Sequence, residues 1–146
     1  GQGDQKVFEA QVAKLGDAGL AEQFDHIGAP DRDGKLEFFR SIDVFSMPAV
    51  YREPKGLTIL EALASGVPVV QPEHGAFPEM LEETGGGILV PPRQPEALAE
   101  SLAKLLADPE RVAALGREGR IGVAEARSDR RMAEQTLEVY ENYLGG

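Results

Sequence analysis

Residues 53–70 read Glu-Pro-Lys-Gly-Leu-Thr-Ile-Leu-Glu-Ala-Leu-Ala-Ser-Gly-Val-Pro-Val-Val. A Pro/Gly loop leads into an apolar helix over residues 56–65 and then into a strand over residues 67–70, as in a parallel α/β unit. The helix is apolar on every side except at Glu61, and such a helix is expected to be buried. An ionised carboxylate there costs several kcal/mol, to order of magnitude, unless it meets a partner. Glu61 is therefore expected to face a cleft and hold something polar. Glu53 precedes the same helix, whose N-terminal amides form an anion site that Gly56 opens to close approach. Together these features predict a pocket for a phosphorylated, hydroxyl-rich ligand.

Outward from this stretch, helix and strand patterns alternate. Residues 6–15 place Phe8, Val12 and Leu15 on one helical face. Residues 24–27 predict a short strand, 35–41 a helix and 44–47 an apolar strand stopped by Pro48. After the strand at 67–70 come a helix at 76–83 and a strand at 88–90. Pro95 opens a helix with Leu98, Leu102 and Leu105 on one face. Asp108-Pro109 opens another, which Gly116, Gly119 and Gly122 are expected to weaken. A last helix starts near Ser128, with Ala133, Leu137, Tyr140 and Leu144 in one stripe. The pattern predicts one α/β domain over residues 1–146, without repeats or linkers.

Composition narrows the function classes. With 146 residues and 42% hydrophobic content, the chain can bury a core. It has no cysteine, which excludes disulfides and thiolate metal sites. A formal charge of −10 disfavours a nucleic-acid partner, since binding that backbone needs clustered Lys and Arg. One diphosphate held by local dipoles remains compatible with an acidic chain. No apolar run reaches membrane-spanning length and no signal-peptide pattern opens the sequence, so a soluble, cytoplasmic protein is expected.

The segment EPKGLTILEALASGVPVVQPEHGAFPEM, followed by GGGILVPP and PEALAESLAKLLADPE, resembles the donor-binding half of retaining GT-B glycosyltransferases. The likeness covers most of the chain, and two glutamates seven residues apart within GL-x-x-LEA-x-A-x-G-x-PVV are its most specific part. It implies a Rossmann-like parallel sheet flanked by helices, the C-terminal domain of a GT-B fold. It also implies transfer of a sugar from a nucleotide diphosphate sugar with retention of configuration. No cofactor and no metal are implied, unlike the GT-A enzymes.

By this resemblance, Glu53 accepts hydrogen bonds from donor-sugar hydroxyls and is the candidate catalytic residue, though not as a nucleophile. A carboxylate offers about four acceptor positions and can take two vicinal hydroxyls. The amides of Gly56, Leu57 and Thr58 meet the diphosphate, where leaving-group charge grows, and the Thr58 hydroxyl can add a donor. Glu61, about one and a half turns further on, takes the ribose hydroxyls. Lys55 stands where the family commonly has an aromatic residue. It reaches the diphosphate or an acidic sugar, or else points to solvent. The structural alternatives are that Glu53 caps the helix and that Glu61 pairs with an arginine. The base stays open among uridine, guanosine and adenosine, and the acceptor leaves no trace.

Other signals have simpler explanations. Asp31-Arg32-Asp33 has the spacing of a metal-binding Asp-x-Asp, but its place before a helix fits turn formation and capping. Arg52 fits a solvated loop residue. His74 fits a surface histidine at the edge of the pocket, and His26 a structural residue. Gly85-Gly86-Gly87 fits a turn rather than a phosphate loop.

Gly1-Gln2-Gly3-Asp4 looks like a strand-to-helix turn with no strand before it. The resemblance therefore implies that the first two strands and the N-terminal acceptor-binding domain are missing, which would leave the segment 24–27 with an open ladder edge. Two alternatives follow: the donor-binding part of an enzyme, or an inactive nucleotide-binding fragment or module that self-associates through that edge.

Overall fold

The computed structural model describes residues 5–144, so the expected turn at Gly1-Gln2-Gly3-Asp4 lies outside the described residues. Two compact units are present, within Gly1–Asp33 and Gly34–Gly146.

In the first unit, helix α1 (Gln5–Asp17) is followed by a 3-10 turn at Ala21–Gln23. The expected strand at residues 24–27 does not form: these residues have no ladder partner among the described residues, and Phe24 and Ile27 are 42% and 51% exposed. Without a neighbour, water satisfies strand N–H and C=O groups as well as a ladder does, so nothing fixes extended pairing. The open ladder edge expected there is accordingly not present. Phe8 holds the segment instead, with its ring centroid 4.5 Å from that of His26 and 6.4 Å from that of Phe24. The structural role expected of His26 thus comes from ring packing.

The second unit is built on parallel pairing. Strand β1 (Val69–Pro72) pairs with β2 (Gly87–Val90), from Val69↔Gly87 to Pro72↔Val90. On the other side of β1, Phe45 makes a single parallel bridge to Val69. Its N–H donates to Pro68 O at 2.9 Å and its carbonyl accepts from Val70 N at 3.0 Å. The expected strand at 44–47 shrinks to this bridge because a side chain takes over the ladder: Met47 N–H donates to Gln71 Oε1 at 3.2 Å. Every residue of β1 is buried, as a central parallel strand requires.

Side chains of β1 alternate between two helical layers. Val69 packs with Phe39 of α2 (Arg32–Ser41), Ile59, Ala62 and Leu63 of α3 (Leu57–Ala64), and Phe77 and Met80 of α4 (Phe77–Thr84). Val70 packs with Val90, Leu105 of α5 (Pro95–Leu106) and Leu115 of α6 (Pro109–Ala126). Each large side chain fully buried this way contributes roughly 1.5–3 kcal/mol. Helix α7 (Asp129–Leu144) closes the described chain and has no buried residue.

One expectation needs correction, and a second gains a packing reason. Helix α3 is not buried all round: Ile59, Ala62 and Leu63 face the core, but Leu57 is 62% exposed. The three glycines of α6 do not interrupt it, since the helix runs unbroken through them. They are where it crosses its neighbours closely. A Cβ on Gly116 would meet the Gly66 carbonyl, one on Gly119 would lie 2.6 Å from Leu63 Cδ2, and one on Gly122 would meet the Thr84 backbone. Among the described residues, no helix is long and apolar enough to cross a membrane.

Candidate functional site

The loop between Phe45 and α3 is fastened at two points to the turn after β1. His74 Nε2 lies 2.9 Å from the Ala49 carbonyl, and Ala76 N–H donates to the Glu53 carbonyl at 2.9 Å. Between them Gly75 adopts φ +62°, and a Cβ there would lie 2.6 Å from Glu53 O and 2.8 Å from Glu53 N. Only glycine permits both that conformation and that approach. His74, expected at the surface, is half-buried by this contact.

Glu53 Oε1 accepts the Gly56 amide at 3.1 Å and the Lys55 amide at 3.2 Å. These bonds hold its carboxyl below the usual glutamate range, the Gly56 amide foremost, then that of Lys55. Oε1 takes both amides, and the Tyr51 side chain also hydrogen-bonds the carboxylate, so its remaining acceptor positions are those these partners leave. Glu53 thus does cap the turn into α3. The Gly56 amide, expected to meet a diphosphate, donates to the Glu53 carboxylate instead. Leu57 and Thr58 supply the next amides at the open N-terminal end of α3.

Gly56 itself sits at φ 61° as the N-cap, and a Cβ there would lie 2.6 Å from Met80 Cε. From this start, Leu57, Thr58 and Glu61 fall at i, i+1 and i+4, so Glu61 lies one turn along from the first helical residues. It is not in an isolated apolar setting: Glu61 Oε1 lies 2.6 Å from Lys35 Nζ, with the two side chains 43% and 42% exposed. The expected partner type, an arginine, is replaced by a lysine.

Lys55 is exposed, and with Pro54, Leu57, Glu79, Arg127 and Gln135 it lines a cleft of about 400 Å³. Arg127 in that cleft is engaged by Glu83 at 2.5 Å and Glu79 at 3.3 Å. Arg52 is exposed. Asp33 lies in the first turn of α2, favourable to the helix dipole. Among the described residues, no group of three metal-ligating side chains comes together.

The structure therefore gathers Glu53, Gly56, Leu57, Thr58 and Glu61 around one helix start, with Lys55 beside it. Sequence reasoning missed Lys35 and the support from Gly75 and His74. Lys35 left one signal: with Phe38 and Phe39 it falls at i, i+3 and i+4, a cation on the apolar stripe of α2. Chemically, the site offers carboxylate acceptors for hydroxyls and amide donors for an anion.

The family description "Glycosyl transferases group 1" matches residues 1–121. The chain belongs to this family. It is 35% identical over 145 residues to phosphatidyl-myo-inositol mannosyltransferase of Mycobacterium leprae, a match covering 97% of this chain and 36% of that protein. It is 34% identical over 110 residues to a GDP-mannose-dependent alpha-(1-6)-phosphatidylinositol monomannoside mannosyltransferase of Mycobacterium tuberculosis, covering 71% of this chain and 29% of that protein. Among solved structures, HepE of Anabaena, determined with UDP, superposes with a TM-score of 0.84 at 20% identity, covering 97% of this chain and 38% of that one. The architecture is that of the C-terminal domain of GT-B glycosyltransferases. The chain spans about a third of the length of the relatives it matches.

Proposed function

We propose that this chain is the donor-binding part of a retaining glycosyltransferase acting on a nucleotide diphosphate sugar. The observation that carries this is the pair of carboxylates around one helix start, Glu53 with Oε1 fixed on the Gly56 amide and Glu61 one turn into α3. The Glu53 carboxylate accepts donor-sugar hydroxyls, the amides of Leu57 and Thr58 meet the diphosphate, and Glu61 takes the ribose hydroxyls. Lys55, exposed at the cleft edge, tunes which donor is accepted. Family membership and the GDP-mannose dependence named for the M. tuberculosis relative support a nucleotide-sugar donor. HepE has also been determined with UDP-glucose.

Transfer itself takes place, in this proposal, between this domain and an acceptor-binding domain in a longer, cytoplasmic protein. Titration calorimetry with GDP, GDP-mannose, UDP and UDP-glucose tests the assignment. Glu61→Ala weakens binding of the nucleoside diphosphate. Glu53→Ala spares it and removes the extra affinity of the sugar-bearing form. Unchanged affinities in both variants would contradict the proposal.

A further inference from the structure

The contact between Lys35 and Glu61 joins two helices whose other faces are fixed by the core. Helix α2 is anchored through Phe39, which is buried, and through Phe38, which packs on the same cluster, as does Ile42 just past its end. Helix α3 is anchored through Ile59, Ala62 and Leu63, none of them accessible to solvent. The packing of both helices brings the two half-exposed side chains within reach of each other, and Lys35 Nζ lies 2.6 Å from Glu61 Oε1. Among the described residues, no other cation pairs with Glu61.

The chemistry of the pair leaves room for a ligand. A carboxylate has about four acceptor positions, and one ammonium hydrogen on Oε1 occupies one of them. Oε2 and a second position on Oε1 stay open, enough for two neighbouring hydroxyls. A lysine suits this better than an arginine, whose planar fork would cover both oxygens at once.

We propose that Lys35 is a positioning residue for the nucleotide ribose, holding the Glu61 carboxylate in the one orientation that presents its open positions to the vicinal hydroxyls. This rests on the assignment of Glu61 to the ribose. Lys35 touches neither the diphosphate nor the sugar and acts through Glu61 alone.

Titration of the chain with GDP and UDP, each beside its 2′,3′-dideoxy form, isolates the contribution of the ribose hydroxyls. The unsubstituted chain prefers the ribo forms, and Lys35→Met cuts that preference about tenfold. The dideoxy affinities and the thermal midpoint stay unchanged, because the side chain is half exposed and its loss opens no cavity. An undiminished ribose preference in Lys35→Met overturns the role of Lys35 and leaves the Glu61 assignment standing. A parallel fall in ribo and dideoxy affinities places Lys35 on the phosphates and overturns it equally. Absence of binding, or of any ribose preference, in the unsubstituted chain overturns the nucleotide assignment itself, and the role of Lys35 with it.

Discussion

The backbone N–H of Ala76 donates to the carbonyl of Glu53 at 2.9 Å, so the turn that ends β1 holds the loop that starts α3. The Glu53 main chain is thus held by Ala76, and its carboxylate by the Gly56 and Lys55 amides. A candidate sugar-binding group held in this way loses little freedom when a ligand arrives, which is what preorganised polar sites require.

Gly75→Ala breaks that support. Its Cβ would fall 2.6 Å from Glu53 O, in a left-handed backbone that alanine adopts at a penalty. The expected loss of stability is roughly 1–3 kcal/mol by denaturant unfolding. A variant as stable as the parent would show that the turn accommodates a side chain.

The Glu53 carboxyl titrates below the ordinary glutamate range, lowered by the Gly56 amide and then the Lys55 amide. A depressed folded pKa adds stability above the unfolded value, and that contribution disappears as pH falls through the folded one. Carbon-detected NMR titration checks the midpoint, and Glu53→Gln should flatten this part of the acid limb. A midpoint at or above the usual glutamate value would mean that the amide bonds do not form in solution.

Gly116→Ala separates helix propensity from packing by sign. In an isolated helix the change is favourable by about 1 kcal/mol. Here the new methyl would meet the Gly66 carbonyl, and the expected net result is a loss of roughly 1–3 kcal/mol. Stabilisation on thermal or chemical unfolding would place α6 further from the Gly66 turn than the structure does.

Amide exchange distinguishes the paired segments from the unpaired one. Val69 N–H is bonded to Gly86 O and Val70 N–H to Phe45 O, both within the core. The amides of residues 25–27 lie in no strand and should exchange orders of magnitude faster. Equal protection would mean that the segment gains a strand partner, as in self-association.

Local signals were legible in the sequence to the extent that one residue's neighbours carried them. Pro95, Pro109 and the Asp108 cap start their helices as read, with Asp108 Oδ1 accepting the Arg111 amide at 2.9 Å. The Pro/Gly loop around Glu53 and the helix after it were likewise legible from apolar pattern and turn chemistry. Residues 24–27 were misread because strand propensity gives no information about whether a neighbour exists. The packing role of the α6 glycines was not legible because propensity scales see the helix alone, while their value lies in close approach to Gly66, Leu63 and Thr84. Lys35 stayed hidden as a partner because its contact with Glu61 joins helices far apart in the chain, which no local spacing encodes.

The most direct test of the donor site is a crystal structure of the chain soaked with GDP-mannose or UDP-glucose. The predicted complex places the diphosphate on the amides of Leu57 and Thr58. Both ribose hydroxyls lie about 2.6–3.0 Å from the Glu61 carboxylate, and sugar hydroxyls lie at similar range from the Glu53 carboxylate. A nucleotide sugar seated away from the start of α3, with both glutamates untouched, would contradict the account.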